Sequence, residues 1–257
     1  MNEEKIQAGQ LQLIRLLGIC ASPRVGNSHF LLKQAFSAIN ESFGDKVELD
    51  FYHMKRKSFV PCDSCHAHRK LKGECRIKDD FQEFRDKWVR SNAIIYSLPV
   101  YHMSIPGQLK CFIDRLGNSQ GYYYQELQGE EPSYKIPRFL KAIGVIVQGA
   151  HLYGGQEQAI EFLIQHILLM RCVPVPGDLS ESYIGVGGWT GGKIQNNSLE
   201  VSFEEGDRDT QLTVKAARTL GIRVVEMAMI LREGVKGNRL QLEKEPSYFH
   251  KLKEGTE

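Results

Sequence analysis

Residues 22–28, SPRVGNS, place hydrogen-bond donors and a glycine between an apolar stretch and the start of a helical pattern. Where a strand, a tight loop and a helix follow one another, the loop N–H groups and the positive end of the helix dipole favour an anion. Gly26 lets the backbone approach a ligand closely. The sequence therefore predicts a phosphate-binding loop, although Asn and Ser are also preferred in ordinary helix caps. The side-chain donors of this loop are Ser22, Arg24, Asn27 and Ser28.

A second group of reactive side chains is formed by three crowded cysteines, Cys62, Cys65 and Cys75, out of six in the chain. The N-terminal residues MNEEKIQAGQ are polar and acidic, unlike a secretory signal peptide. Cysteines in a chain of this size without such a signal are typical of free thiols or metal ligands, and not of a disulfide framework. We therefore predict free thiols or a metal site between residues 62 and 75.

The bulk composition is that of an ordinary globular protein. The 257 residues suffice for one large α/β domain or two small ones, and 25% are charged and 42% hydrophobic. The formal net charge of +2 is too small to indicate nucleic acid as the main partner. No apolar run reaches the length of a membrane span. We expect a cytoplasmic protein that has neither nucleic acid nor a membrane as its partner.

Short apolar stretches of strand length alternate with helical patterns along the chain. The predicted strands are 13–19, 47–52, 93–98, 141–147 and 172–175. The first helical pattern begins at His29, and the second follows Asp79, which is the predicted cap. The third begins near residue 105 and is expected to end at Gly117. Two more cover 156–170 and 210–231. This alternation favours a parallel sheet with helices on both faces. The predicted fold class is α/β, a doubly wound parallel five-stranded sheet in a single domain, 1–257.

Three segments interrupt this pattern. They are a basic cysteine loop (about 55–78), an excursion rich in helix breakers (about 118–138) and a long loop (about 177–209) that contains GVGGWTGG. A long loop in a compact domain is more often functional than idle. The charged tail that ends at Glu257 is expected to be a solvated extension.

Three of the predicted loops follow the carboxyl ends of strands: SPRVGNS, PVYHMSIPG and QGAHLYGG. In doubly wound parallel sheets, ligands bind beyond these strand ends, where the strand order reverses. All three loops contain residues typical of binding sites. The sequence therefore predicts one site with three sides, of which the phosphate-binding loop is one.

With these motifs the chain resembles the flavodoxin-like family of NAD(P)H-dependent FMN reductases and, within it, the iron–sulfur flavoproteins. The motifs are GICASPRVGNS, PVYHMSIPGQLKCFIDRLG, QGAHLYGGQE and a cysteine loop that ends in GECRIKDDF, over roughly residues 13–175. The resemblance implies a flavodoxin-like fold, with the FMN phosphate held by Ser22, Arg24, Asn27 and Ser28. The flavin ring would be lined by Pro99, Val100, Tyr101 and His102, and closed over by Gly149, His151, Gly154 and Gly155. Asp114 and Arg115 also match the family and are interpreted as packing or helix-surface residues.

The resemblance also implies a function, in which FMN accepts electrons from NAD(P)H and passes them to a small acceptor such as a quinone, a flavin or a nitro compound. The cofactor supplies this chemistry, so we assign no catalytic residue; Tyr101 and His102 are the candidates near the ring. A homodimer or homotetramer is expected, with the excursion and the long loop as candidate contacts.

The cysteine loop departs from the family pattern. The iron–sulfur branch has four cysteines around a four-iron cluster, whereas this chain reads Cys62, Cys65, His68 and Cys75. Three alternatives remain open: a cluster with three thiolates and one imidazole, a zinc ion in a tetrahedron of the same ligands, and a loop without metal.

Two other functions remain open from the sequence. One is an iron–sulfur flavoprotein that carries electrons between a ferredoxin-like partner and FMN, with the basic residues around the cysteines as its docking surface. The other is a non-catalytic FMN-binding redox sensor that uses the cysteine loop as a thiol switch.

Overall fold

Strands and helices alternate from residue 14 onward in the computed structural model, which describes residues 13–128, 136 and 138–237. The strands are β1 (Ile14–Cys20), β2 (Val47–His53), β3 (Ala93–Pro99), β4 (Ala142–Gly149), β5 (Val173–Pro174) and β6 (Val186–Trp189). The α-helices are α1 (Asn27–Phe43), α2 (Phe81–Arg90), α3 (Gly107–Gln128), α4 (Gln156–Leu169), α5 (Ser198–Glu204) and α6 (Arg208–Gly237). The predicted alternation of strands and helices is confirmed.

All pairings in the sheet are parallel, in the order β2-β1-β3-β4-β5, and β6 also lies beside β4. β5 pairs with the start of β4 at Ala142 and Ile143, whereas β6 pairs with its end, from Ile146 to Gly149. The two short strands therefore share the fifth position of the sheet. Because the strand order reverses between β1 and β3, their carboxyl ends form the crevice in which such folds bind ligands.

Side chains along the central strands alternate between the two faces of the sheet, so the core has two layers. Alternate residues of β3 illustrate this: Ile94 and Tyr96 pack into the layer under α2, α3 and α4, whereas Ala93 and Ile95 pack into the layer under α1 and α6. All seven residues of β3 are buried. The doubly wound α/β fold that the sequence predicted is therefore the observed one.

Two of the predicted segments are wrong in part. Residues 177–209 are not a long loop, because β6 and α5 lie within them. The helix that was expected to end at Gly117 continues to Gln128, so the first part of the predicted excursion is helical. Residues 129–135 and 137 of that excursion, and the predicted charged extension from 238 onward, lie outside the described residues. Of the helices in the described ranges, none has both the length and the apolar content needed to cross a bilayer.

Candidate functional site

The predicted phosphate-binding loop joins β1 to α1. The Ser22 hydroxyl donates a 2.8 Å hydrogen bond to the Arg24 carbonyl, which tightens the loop. The residue before α1 is Gly26 and no side chain caps this helix, so Asn27 and Ser28 are not its caps. The N–H groups of the first helical turn have no partners within the helix and point out of its end. The Ser28 Oγ is buried and has no hydrogen-bond partner among the described residues. These donors fit an anion at this position.

The amide of Asn27 has partners on a different helix. Its Nδ2 donates to the Ser198 Oγ (2.9 Å), and its Oδ1 accepts a hydrogen bond from the Leu199 N–H (3.0 Å). The backbone of Asn196 also packs against the loop, because a Cβ at Gly26 would lie 2.5 Å from the Asn196 carbonyl oxygen. Asn27 therefore fixes the start of α5 against the loop, a contact that the sequence did not predict.

The second predicted loop is a tight turn after β3. Tyr101 and Ser104 exchange backbone hydrogen bonds of 2.9 and 3.0 Å, and the two residues between them, His102 and Met103, both have positive φ (47° and 63°). Residues other than glycine rarely adopt this left-handed backbone conformation, and consecutive residues held in it are typical of functional sites. The turn leaves Tyr101, His102 and Met103 exposed at the carboxyl end of the sheet.

The three predicted loops meet at this end of the sheet. Ser97 of β3 donates a 2.7 Å hydrogen bond to the Ser28 carbonyl, and this bond joins the end of β3 to the phosphate-binding loop. Gly155 in the third loop has a φ of +104°, and a Cβ there would lie 2.5 Å from the Met103 Cα. The third loop therefore packs directly against the β3 turn.

Gln156, at the start of α4, holds the third loop in place. Its amide donates 2.7 Å and 3.2 Å hydrogen bonds to the carbonyls of His151 and Gly188, and its Oε1 accepts one from the Gly154 N–H. The structure thus brings together the residues predicted around the flavin ring, which belong to the strand ends and loops 99–102 and 149–155. Gln156 was not predicted to act in the site, although it stands in the motif QGAHLYGGQE. β6 was not predicted either, and its Gly188 carbonyl, which Gln156 binds, lies 32 residues away.

The four candidate ligands of the cysteine loop line one cavity of about 190 Å³. A site for one water molecule needs only about 10–15 Å³, so this cavity has room for more than a single ion. Ser64 and His66, on either side of Cys65, have positive φ (56° and 54°). Turns of this kind point successive N–H groups into a concavity, as in many iron–sulfur sites. The ligands around this cavity are Cys62, Cys65, His68 and Cys75.

The four candidate ligands of the cysteine loop are not gathered as tightly as the ligands of one bound ion. Tetrahedral zinc with bonds of about 2.3 Å to sulfur needs sulfur atoms about 3.8 Å apart. Among the described residues, no three ligand atoms of the cysteine loop come within 4.8 Å of one another. Burial lowers the pKa of His68, helped by the neighbouring charges of His66 and Arg69, so that its imidazole is neutral and able to bind a metal.

Arg115 of α3 is the unexpected residue at this cavity. It is only 3% exposed and was interpreted from the sequence as a packing or surface residue. Its Nη2 donates to the Cys75 Sγ (3.2 Å), and its Nη1 forms an ion pair with Asp79 (2.7 Å). Burial by itself would raise the pKa of Asp79, but the hydrogen bonds from Arg115 and from two backbone N–H groups outweigh it and hold the pKa below its ordinary value.

The basic residues around the cysteine loop are not all available to a partner. Lys57, which belongs to the predicted docking surface, forms ion pairs with Asp80 (3.0 Å) and Glu83 (2.6 Å) of the α2 region. Arg56 remains exposed. The charge of this surface is therefore partly neutralised within the chain itself.

Comparison with known proteins gives a consistent result. The model of the family described as NADPH-dependent FMN reductase matches residues 14–181. An iron–sulfur flavoprotein of Archaeoglobus fulgidus is 29% identical over 201 residues, which make up 78% of this chain and 93% of that protein. An iron–sulfur flavoprotein of Methanocaldococcus jannaschii is 27% identical over 222 residues, 86% of this chain and 100% of that protein.

A solved structure supports the fold. RosB with a bound intermediate, 8-demethyl-8-formylriboflavin-5'-phosphate, aligns with a TM-score of 0.56 over 86% of this chain and 81% of its own. At 13% identity, this likeness concerns the fold alone.

Proposed function

Because the chain belongs to the NADPH-dependent FMN reductase family, in its iron–sulfur flavoprotein branch, we propose that it passes electrons from NAD(P)H through FMN to a small acceptor. Quinones, flavins and nitro compounds are the proposed acceptor classes. The family makes the protein a flavoprotein oxidoreductase. The observation that carries the finer proposal is the meeting of three loops at the carboxyl end of the sheet, beside the buried and unpartnered hydroxyl of Ser28.

The described residues fit FMN at this place. Ser28, the first-turn N–H groups of α1 and the exposed Arg24 would hold the phosphate, and Ser22 shapes the loop through its bond to Arg24. Asn27 would act indirectly, by keeping α5 against the loop. The flavin ring would lie between the turn at 99–102 and the loop at 149–155.

The chain's own part in the reaction is binding, orientation and the exclusion of water, since bound FMN supplies the hydride and electron transfer. The Gln156 amide orients the third loop, and the Met103 backbone against Gly155 sets the distance between the two loops. No side chain is proposed as a general acid or base. Tyr101 and His102 are exposed at the turn, where they would meet the second substrate.

A second candidate function, electron transfer to or from a ferredoxin-like protein, is favoured by the cavity of the cysteine loop. Three thiols, one neutral imidazole and the Arg115 guanidinium surround it, a donor set that fits an iron–sulfur cluster with a compensating positive charge. The names of the relatives in two archaea agree with such a cluster. In this case the exposed basic residues near the loop would dock an acidic partner.

The test is an anaerobic purification of the full chain, followed by absorbance spectroscopy and by FMN, iron and sulfide analysis. The oxidation of NADH and of NADPH is then followed separately with a quinone, a flavin and a nitro compound. We expect flavin absorbance bands, and turnover with at least one combination of nicotinamide and acceptor. A colourless protein that takes up no FMN would contradict the whole proposal. FMN binding without oxidation of either nicotinamide would favour the non-catalytic sensor.

The cluster is tested on the same preparation. The double variant Cys62→Ala/Cys65→Ala removes two exposed thiols of the loop. Loss of iron and sulfide with retention of FMN would support a cluster in this loop. The matched control is Cys111→Ala, which removes a thiol outside the loop and should leave the iron and sulfide contents unchanged.

A further inference from the structure

A second group of metal-ligating side chains lies apart from the cysteine loop, at the carboxyl ends of β1 and β2. Cys20 ends β1, His53 ends β2 and His29 lies in the first turn of α1. The ligand atoms of these three residues all lie within 4.8 Å of one another, and no other such group occurs in the described parts of the chain. β1 and β2 pair in register here, Cys20 opposite His53, so the sheet itself brings the two residues together.

One ring nitrogen of each histidine lacks a partner. The Nδ1 of His29 and the Nε2 of His53 are buried and make no hydrogen bond to any described residue. Buried polar atoms are nearly always satisfied, so two unpartnered nitrogens beside one thiol require an explanation. Cys20 is fully buried within the protein.

We propose that Cys20, His29 and His53 bind a divalent metal ion of the zinc class. One thiolate and two imidazoles are ligands that zinc and cobalt(II) accept, and three protein ligands leave the fourth tetrahedral position open. The ion would join Cys20, two residues before the loop 22–28, to His29, directly after that loop. It would therefore close that loop at both ends and tie it to β2, independently of what the loop binds.

The proton balance of this site is simple. The metal forms a bond to the Cys20 sulfur, and the thiol proton leaves to solvent. His53 must also change its tautomer. Its Nδ1 accepts a 2.9 Å hydrogen bond from the Lys55 N–H, so the ring proton of the neutral imidazole is on Nε2. On binding, that proton moves to Nδ1 and the Lys55 bond is lost. The lost bond is solvent-exposed and local, and is weak compared with a metal–imidazole bond.

The experiment titrates Co²⁺ alone into the full chain after chelator treatment. The background variant Cys62→Ala/Cys65→Ala/Cys75→Ala removes the thiols of the cysteine loop, so that a sulfur-to-cobalt charge-transfer band reports only the remaining thiols. We expect this band to saturate at one bound Co²⁺ per chain, together with the visible bands of tetrahedral cobalt, and to be abolished by added Zn²⁺.

Variants of the site decide whether the band belongs to it. Cys20→Ala should abolish the band, and His29→Gln, which keeps the thiol, should weaken Co²⁺ binding strongly. Cys111→Ala and Cys172→Ala are the controls and should keep the band. Circular dichroism confirms that each variant is folded. A folded background variant without the band, or a band that survives in Cys20→Ala, would overturn the proposal.

Discussion

The Arg115 guanidinium donates a hydrogen bond to the Cys75 sulfur across 3.2 Å while it holds the Asp79 carboxylate at 2.7 Å. The same side chain donates to the carbonyls of Val60 and Ile77 and stacks over the Phe81 ring at 4.2 Å. One residue of α3 thus fixes both ends of the cysteine loop and the start of α2. The loop is exposed, but its last cysteine is anchored in the core.

Arg115→Gln is expected to destabilise the protein strongly. The side chains of Arg115 and Asp79 are only 1% and 6% exposed, and removal of one partner of a buried ion pair leaves an uncompensated charge. The free energy of unfolding should fall by about 3–5 kcal/mol. Urea denaturation of the purified variant measures this. The control is Lys110→Ala, which breaks the exposed Lys110–Asp114 pair on the same helix and should cost less than about 1 kcal/mol.

The Cys75 contact should also influence the reduction potential of a cluster bound in the loop. A hydrogen bond and a positive charge at a ligating sulfur favour the reduced, more negative state. Arg115→Lys keeps the charge but loses the planar set of donors, and should lower the potential. The shift would be about 60 mV for each tenfold change in relative stability of the two redox states. A spectroscopic redox titration measures it; an unchanged potential in a cluster-loaded variant would contradict this role.

The sequence was sufficient for the five predicted strands and for the meeting of the three loops, because both depend on local patterns. β1, β3 and β4 are apolar stretches of strand length, and each is followed by a loop with glycines or polar donors. The switch-point rule then places these loops together without any knowledge of contacts. The structure agrees with that placement through the Ser97–Ser28 and Gly155–Met103 contacts.

The missed features depend on contacts distant in sequence. β6 is VGGW, four residues whose strand structure comes from pairing with β4 and not from intrinsic propensity. Gly117 did not end α3, since one glycine costs only about 1 kcal/mol in a helix and burial of that helix can compensate. Asp79 was predicted to cap α2, but the residue at the cap position is Asp80. Asp79 accepts the Phe81 N–H, and its ion pair with Arg115, 36 residues away, has no local signal.

Acidification should destabilise the protein through His166. This side chain is 5% exposed, its Nε2 lies 3.5 Å from the Tyr96 hydroxyl, and burial lowers its pKa from 6.5 to about 4. Because the unfolded chain binds the proton more tightly, this stability is fully present above pH 6.5 and is lost as the pH falls towards 4. The loss should be on the order of 3 kcal/mol.

Denaturation curves at several pH values test this dependence. His166→Gln cannot titrate and should flatten the fall of the unfolding free energy between these pH values, although His53 adds to the fall in the same direction. The control is His102→Gln, an exposed side chain, which should leave the slope unchanged. An unaltered slope in the His166 variant would assign the acid sensitivity to other groups.

Gly155→Ala should separate the third loop from the β3 turn. The new Cβ would lie 2.5 Å from the Met103 Cα, and the φ of +104° is itself unfavourable for alanine. We expect FMN affinity to fall at least tenfold, measured by fluorescence titration of the flavin-free protein. Gly191→Ala is the matched control, because Gly191 also has a positive φ (63°) but open space around its Cβ position. A similar loss in both variants would mean that backbone strain, and not the contact, is responsible.

The two neighbouring residues Asn27 and Ser28 should respond differently to replacement by alanine. The Asn27 amide is bonded to Ser198 and Leu199, so Asn27→Ala removes a buried cap of α5 and should lower the free energy of unfolding by about 1–2 kcal/mol. The Ser28 hydroxyl has no partner among the described residues, so Ser28→Ala should leave the stability of the flavin-free protein nearly unchanged. If this hydroxyl binds the phosphate, Ser28→Ala should weaken FMN binding about tenfold and riboflavin binding hardly at all. Equal losses for the two flavins would show that Ser28 does not contact the phosphate.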